Sequence, residues 1–295
     1  MKKIIIPSDC NYIASFLTMR CNLNCSFCLN AFSRSFERGR FEEASGDTWI
    51  SSLNRIESVP QVPITLSGGE PSLHPNFIEF VNGIKQETNI DILTNLMWSK
   101  KTLQRFVNEI DPARLKRDSP YASIRASYHP EQMGNGEKLV ENARELIENG
   151  FSVGIWAVLY PSPQQLSAIN QMQFRCKDAG IEFRVKEFMG EYKDEIYGDY
   201  SLYPGSAFEK TNSICECKTS ELLIGTDCKV YKCHRDLYTE EFSYGDLSNP
   251  EWEFEMNYKE CSKYGQCHPC DVKVKTNYKQ ELGHTSVEIR NVIRK

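Results

Sequence analysis

Cys21, Cys25 and Cys28 stand in a CxxxCxxC spacing, with the aromatic Phe27 directly before the last cysteine. Three thiolates from one short loop can hold three irons of a [4Fe-4S] cube, which leaves the fourth iron without a side-chain ligand. Such an iron is open to a small chelating molecule. Thiolates also suit zinc, but structural zinc sites close with four ligands and favour CxxC pairs. The nearest histidine, His74, is far along the chain. Iron-sulfur binding is therefore the expectation, with zinc or unligated buried thiols as the alternatives.

A second motif, Ser67-Gly68-Gly69-Glu70-Pro71, follows the apolar run Val62, Ile64, Leu66, which reads as a buried strand ending in a glycine turn. Adjacent glycines let a backbone approach a ligand closely and leave its carbonyls accessible. With Glu70 beside them, those carbonyls could accept hydrogen bonds from an ammonium group. An ordinary strand-to-helix turn is the alternative for the three residues alone.

Seven of the twelve cysteines crowd the last third of the chain: Cys215, Cys217, Cys228, Cys233, Cys261, Cys267 and Cys270. Thiols at that density, with few long apolar runs between them, predict a small unit folded around metal. Zinc is the alternative to iron and sulfide there.

These residues must be carried by a scaffold, and the pattern from residue 12 to about 188 supplies one. Apolar runs at 12–19, 62–67, 90–95, 122–127, 151–159 and 181–188 alternate with longer amphipathic segments, which predicts parallel βα units. Six units would form an open, partial (β/α)6 TIM-like barrel of the α/β class, with working residues at the C-terminal ends of the strands. In the helix read over 135–149, Leu139, Val140, Ala143, Leu146 and Ile147 make an apolar stripe, and Asn149-Gly150 stops it. Pro161 and Pro163 end the fifth strand and start the next helix.

At 295 residues and 40% hydrophobic content, the chain is long enough for one large domain with a smaller appendage. The expected division is an N-terminal extension, 1–11, a barrel, 12–189, and a cysteine-rich iron-sulfur domain, 190–295. A net charge of −5 gives no electrostatic reason to expect a nucleic-acid partner. Ile4, Ile5 and Ile6 before Pro7 are too short an apolar stretch for a signal peptide, and no span of about 18 apolar residues follows. A cytoplasmic protein without membrane contact is expected, and in a reducing compartment so many cysteines favour metal over disulfides.

Taken together and in this order, the two motifs resemble the radical S-adenosylmethionine enzymes, over roughly the first two-thirds of the chain. The resemblance implies that Cys21, Cys25 and Cys28 hold a [4Fe-4S] cluster whose free iron chelates the amino and carboxylate groups of S-adenosylmethionine. Phe27 is the motif's aromatic position, and Gly68, Gly69 and Glu70 match the site for the amino group. Strand ends add Thr94 and Asn95 around the nucleoside and Ser127 against S-adenosylmethionine. Arg125, two positions before Ser127, shares its face and is a candidate for the methionyl carboxylate, with a barrel-lining salt bridge as the alternative. His129, Lys186 and Glu187 are further polar groups near strand ends that could face substrate, against ordinary polar contacts.

The tail resembles the auxiliary-cluster modules of the same family, SPASM and its shortened form, twitch. Cys215 and Cys233 flank a hairpin over Leu222 to Tyr231, and with Cys267 and Cys270 they fit a one-cluster twitch arrangement. The pattern departs from a full SPASM module: Cys228 stands where a glycine is expected, and the later run is Cys261x5Cys267xxCys270. Cys217, Cys228 and Cys261 are left either to help hold a second cluster, with His234 or His268, or to donate hydrogen to a substrate radical.

The implied activity is reductive cleavage of S-adenosylmethionine to a 5′-deoxyadenosyl radical, which abstracts hydrogen from substrate in an oxidation, epimerisation or cross-linking. Flavodoxin or ferredoxin would serve as the reducing partner. Only about eleven residues precede the first strand, so a small molecule or short peptide is the expected substrate. A peptide- or protein-modifying SPASM maturase is the alternative, and a non-catalytic iron-sulfur or zinc redox sensor is the competing class.

Overall fold

The computed structural model describes residues 2–29, 41–59, 61–209, 211–277 and 280–292. Its frame is a set of six parallel strands: β1 (Tyr12–Thr18), β2 (Ile64–Gly68), β3 (Ile90–Thr94), β4 (Ile124–Tyr128), β5 (Val153–Leu159) and β6 (Glu182–Glu187). They pair in that order, with Ile13 opposite Ile64, Leu66 opposite Ile92, Ile92 opposite Ile124 and Ile155 opposite Phe183. Both faces of the inner strands are covered, which explains why they read as nearly unbroken apolar runs. The sheet stays open: β6 is its last strand, so the six units make a partial barrel, as the alternation predicts.

The helices begin where local chemistry starts them. Ser45 and Ser99 accept hydrogen bonds from the backbone N–H of Thr48 and Thr102, capping Gly46–Leu53 and Lys100–Glu109. Pro163 opens Pro163–Asp178. Glu137–Glu148 stops at Asn149 and Gly150, where Gly150 takes φ +88° and the Phe151 N–H donates back to the Leu146 carbonyl. Leu53, Phe106, Leu139, Leu146 and Ile169 of these helices, with Phe80 of the helix Phe77–Gly83, bury against Ile64, Leu66, Ile92, Ile124 and Ile155 of the sheet. Burying side chains of this size contributes about 1.5–3 kcal/mol each before entropy is counted.

The cysteine-rich stretch is joined to this frame. Strand β7 (Ser213–Thr219) pairs with two later strands, β11 (Lys259–Tyr264) and β12 (Val287–Asn291), in a separate sheet. The expected hairpin forms from β8 (Glu221–Ile224) and β9 (Lys229–Tyr231), and β10 (Gly245–Asp246) adds to it. β8 also lies parallel to β1, with Glu221 opposite Tyr12 and Ile224 opposite Ser15, so the large sheet runs β10-β9-β8-β1-β2-β3-β4-β5-β6. Ladder hydrogen bonds therefore cross the 189/190 division.

Among the described residues no helix is long and apolar enough to cross a membrane.

Candidate functional site

At the C-terminal ends of the strands lies a cavity of 540 Å³. Its walls bring together Cys21, Cys25, Cys28 and Phe27 with Gly68, Gly69, Thr94, Asn95 and Ser127, residues drawn from the loop after β1 and the ends of β2, β3 and β4. The pairing of β1 with β2 slips in register between Phe16 and Thr18, where the chain leaves the ladder for the cysteine loop. Cys25 is buried, while Cys21 and Cys28 are half-buried. The Cys21 sulfur accepts from the Leu23 N–H at 3.4 Å and the Asn95 amide at 3.7 Å.

The glycine pair makes room chiefly for the chain itself. A Cβ on Gly68 would collide with the Thr18 carbonyl, and one on Gly69 with the Arg20 carbonyl and, at 2.7 Å, that of Met19; Gly68 also takes φ +140°. The turn is stitched to the cysteine loop by Gly69 N–H to Thr18 O at 2.7 Å and Glu70 N–H to Arg20 O at 2.8 Å.

Glu70 is fully buried and does not line the cavity. Its Oε1 accepts from the Ser72 N–H (3.2 Å), the Ser72 hydroxyl (2.6 Å), the Thr94 hydroxyl (2.8 Å) and the Trp98 indole (3.2 Å). Its Oε2 accepts from the Asn95 N–H at 2.7 Å. The carboxylate thus ties the glycine turn to the end of β3, and direct reception of an ammonium group, as expected from sequence, does not fit this geometry. The Thr94 hydroxyl also accepts from Leu96 N–H and Trp98, and the Asn95 side chain bonds Asn22 and the Met97 N–H. Both side chains are engaged by their neighbours.

Arg125 needs a similar correction. It pairs with the fully buried Asp91 at 3.0 Å, and Arg117 pairs with the same carboxylate at 2.6 Å. Arg125 does not line the cavity. The barrel-lining salt bridge, not the methionyl carboxylate, accounts for it. Burial raises the Asp91 carboxyl, and the two arginines oppose that rise.

The far wall carries His129, Val158 and Lys186. His129 packs at 5.7 Å from Phe27, which stacks on Tyr160 at 4.8 Å. Burial pushes the His129 imidazole down to about 4, so it is neutral at ordinary pH. Sequence reading missed this aromatic wall, which Phe188 and Tyr192 continue around Tyr160. It also missed the Arg20–Glu43 ion pair at the mouth. Neither has a motif; only the fold brings the partners together.

The tail thiols gather differently from expectation. Register puts Cys215 opposite Cys261, the Cys215 and Cys217 sulfurs are 3.6 Å apart, and Cys217, Cys233, Cys261 and Cys267 line one small cavity. Cys217 and Cys261, read as possible hydrogen donors, are thus packed among the ligand candidates. A hydrogen bond between them raises the Cys217 thiol and lowers that of Cys261. Cys270 does not line this cavity. Cys228 is set apart in the main core, at φ +66°, with its thiol against Ser52 and pushed up to about 12 by burial. Neither ligand nor donor duty fits Cys228.

Spacing bears on which metal fits. Two ligands of one zinc ion lie at most about 4.6 Å apart, twice a Zn–S bond. Among the described residues, Cys215, Cys217 and Cys261 lie within 4.8 Å of one another, as do ligand atoms of Glu221, His234 and Asp271, whereas Cys21, Cys25 and Cys28 do not. The wider N-terminal trio suits the corners of an iron-sulfur cube over a single ion. The tail trio suits one ion as it stands, and a four-iron cluster requires its thiols to part. Asp271 pairs with His234 and Glu221 with Lys275 in a largely buried network.

Residues 15–165 match the Radical SAM superfamily. The chain belongs to this superfamily. Within it, the radical S-adenosylmethionine chain is 34% identical over 89 residues to the PqqA peptide cyclase of Rhodopseudomonas palustris, a match covering 30% of this chain and 22% of that one. It is 32% identical over 90 residues to the sporulation killing factor maturation protein SkfB of Bacillus subtilis, covering 30% and 21%. The matched stretch thus spans about a fifth of each relative. Streptococcus suis SuiB bound to its precursor peptide SuiA superposes with a TM-score of 0.55 at 14% identity, over 83% of this chain and 64% of that one. The anSMEcpe structure with bound AdoMet and the Kp18Cys peptide gives 0.54 at 13% identity, over 92% of each. At those identities the likeness is one of fold.

Proposed function

We propose that this chain binds a [4Fe-4S] cluster through Cys21, Cys25 and Cys28 and uses it on S-adenosylmethionine to modify a peptide. The observation that carries the reading is the meeting of the three thiols with the Gly68-Gly69 turn around one cavity. Bound there, the cluster would supply the electron for cleavage of the sulfonium to methionine and a 5′-deoxyadenosyl radical, which would take a hydrogen atom from the substrate.

The chain's own residues orient and enclose. Gly68 and Gly69 offer backbone to the amino group, Glu70 holds that turn against Thr94 and Asn95, and Ser127 lies on the cosubstrate's side of the wall. Phe27, His129 and Tyr160 keep water from the reacting atoms. In the tail, the proposed second centre is an auxiliary iron-sulfur cluster drawn from Cys215, Cys217, Cys233, Cys261 and Cys267, whose loading would part the three closely set thiols of Cys215, Cys217 and Cys261, and flavodoxin or ferredoxin is the proposed electron source.

Peptide modification is preferred to a small-molecule substrate because PqqA peptide cyclase is named for a peptide and SuiB is found with a precursor peptide. The open edge of β6, unpaired among the described strands, supports it further, since an extended peptide can add to such an edge. How few residues precede β1 does not bear on what the cavity accepts.

The test is anaerobic reconstitution with dithionite and S-adenosylmethionine. Wild-type protein is expected to form 5′-deoxyadenosine, and Cys25→Ala to form none. Equal traces from both would sink the proposal.

A further inference from the structure

Most polar side chains around the cavity are already engaged by the protein. Arg20 pairs with Glu43, and Thr94 and Asn95 are bonded to their neighbours. His129 and Lys186 differ. His129 Nδ1 is buried without a hydrogen-bond partner, and among the described residues Lys186 has no carboxylate partner. Ladder register sets them in one row: Tyr128 lies opposite Ala157 and Val158 opposite Lys186, so His129, Val158 and Lys186 follow one another across β4, β5 and β6. At the usual strand spacing that row is about 10 Å wide.

The charges facing Lys186 are Arg125, Lys273 and Lys275, with the Cys270 thiol. Each of those three cations has its own carboxylate: Asp91 for Arg125, Glu187 for Lys273 and Glu221 for Lys275. Lys186, exposed at the cavity wall, has none among the described residues. An ammonium without a carboxylate partner among the described residues, set on the wall of a cavity, is a place where an anion can gain a charge-assisted hydrogen bond.

We propose that Lys186, with His129 two strands away in the same row, receives a carboxylate of the peptide substrate, so that the segment entering the cavity carries an aspartate, a glutamate or a free C-terminus near the residue that loses hydrogen. This rests on the peptide-modifying reading above. The methionyl carboxylate of S-adenosylmethionine is the other source of the same chemistry. The position of Lys186 on the edge strand β6, at the other end of the parallel set from β1 and the cysteine loop that follows it, favours substrate.

The experiment is calorimetry on cluster-reconstituted, S-adenosylmethionine-loaded enzyme without reductant, titrated with acetyl-Gly-Glu-Gly-amide and with its Gln counterpart. The Glu peptide is expected to bind about ten-fold tighter or more, the increment of one charge-assisted hydrogen bond. Lys186→Met should erase that preference and Lys186→Arg should keep it, with iron content unchanged. Equal affinities for the two peptides overturn the proposal, as does no heat from either at roughly tens of millimolar, where a single ion pair in a cavity should register. If Lys186→Met instead weakens S-adenosylmethionine, the carboxylate is the cosubstrate's; if it loses iron, Lys186 serves the tail metal. Both results also overturn it. Without reductant, none of these depends on radical formation, which the 5′-deoxyadenosine assay tests separately.

Discussion

Glu70→Gln separates two roles for the acidic residue of the glycine turn. In the structure Oε1 receives four donors, from Ser72 (two), Thr94 and Trp98, and Oε2 receives one, from Asn95. Glutamine keeps one oxygen. Its better orientation leaves that oxygen among the four donors and turns its NH2 toward the Asn95 N–H, donor against donor across a gap that is now 2.7 Å. One charge-assisted bond is lost and a buried N–H is left unsatisfied, which costs about 2–4 kcal/mol. For a chain of this size that lowers the thermal midpoint by roughly 4–8 °C. The same displacement loosens Gly68-Gly69 from Thr94-Asn95, and S-adenosylmethionine affinity should fall about ten-fold for each 1.4 kcal/mol transmitted to the cavity. Calorimetry of unfolding and of cosubstrate binding, on protein with matched iron content, reads both. If Glu70 touched the amino group directly, affinity would drop with the midpoint unmoved. That result, or no change in either, would refute the positioning argument.

Two further predictions address the tail and the wall. Cys261→Ala should remove the auxiliary metal and bring iron from about eight atoms per chain to about four, whereas Cys228→Ala should leave iron unchanged; iron near four with added zinc in the wild type would identify the tail centre as zinc. His129 has its folded pKa lowered to about 4, so between about 4 and its ordinary 6.5 the unfolded chain binds a proton that the folded chain refuses. Stability contributed by the neutral ring is present above about 6.5 and is lost as pH falls toward 4, and His129→Gln should flatten that part of a midpoint-against-pH curve.

The strands and the two N-terminal motifs were legible because each is written locally. A strand covered on both faces must be apolar at every position, and a loop ligand set is fixed by spacing within a few residues. What could not be read depends on partners from elsewhere. Nothing near Glu70 in sequence announces Trp98 and Asn95 as its donors. Cys217 and Cys261 meet only because β7 and β11 pair with Cys215 opposite Cys261. Cys228 looks like the other tail cysteines until its turn, at φ +66°, carries it under Leu247, whose N–H donates to the Cys228 carbonyl.

Arg125 marks the general limit. Alternation correctly gives Arg125 and Ser127 one face of β4, yet two residues along a strand is a rise of about 6–7 Å, enough to separate a layer of side chains that fills the barrel from one that meets ligand. Asp91 fixes the lower layer: it lies on β3 and accepts both Arg125 and Arg117, so charge there is balanced within the protein. Two residues above, Ser127 reaches the cavity, and two above that, His129 does. Which polar residue on a barrel strand is structural and which is available to a ligand is therefore set by depth. Depth becomes visible only when the counter-charge on the neighbouring strand has been found; for Lys186 no such counter-charge exists among the described residues, and that is what its proposed role toward substrate rests on.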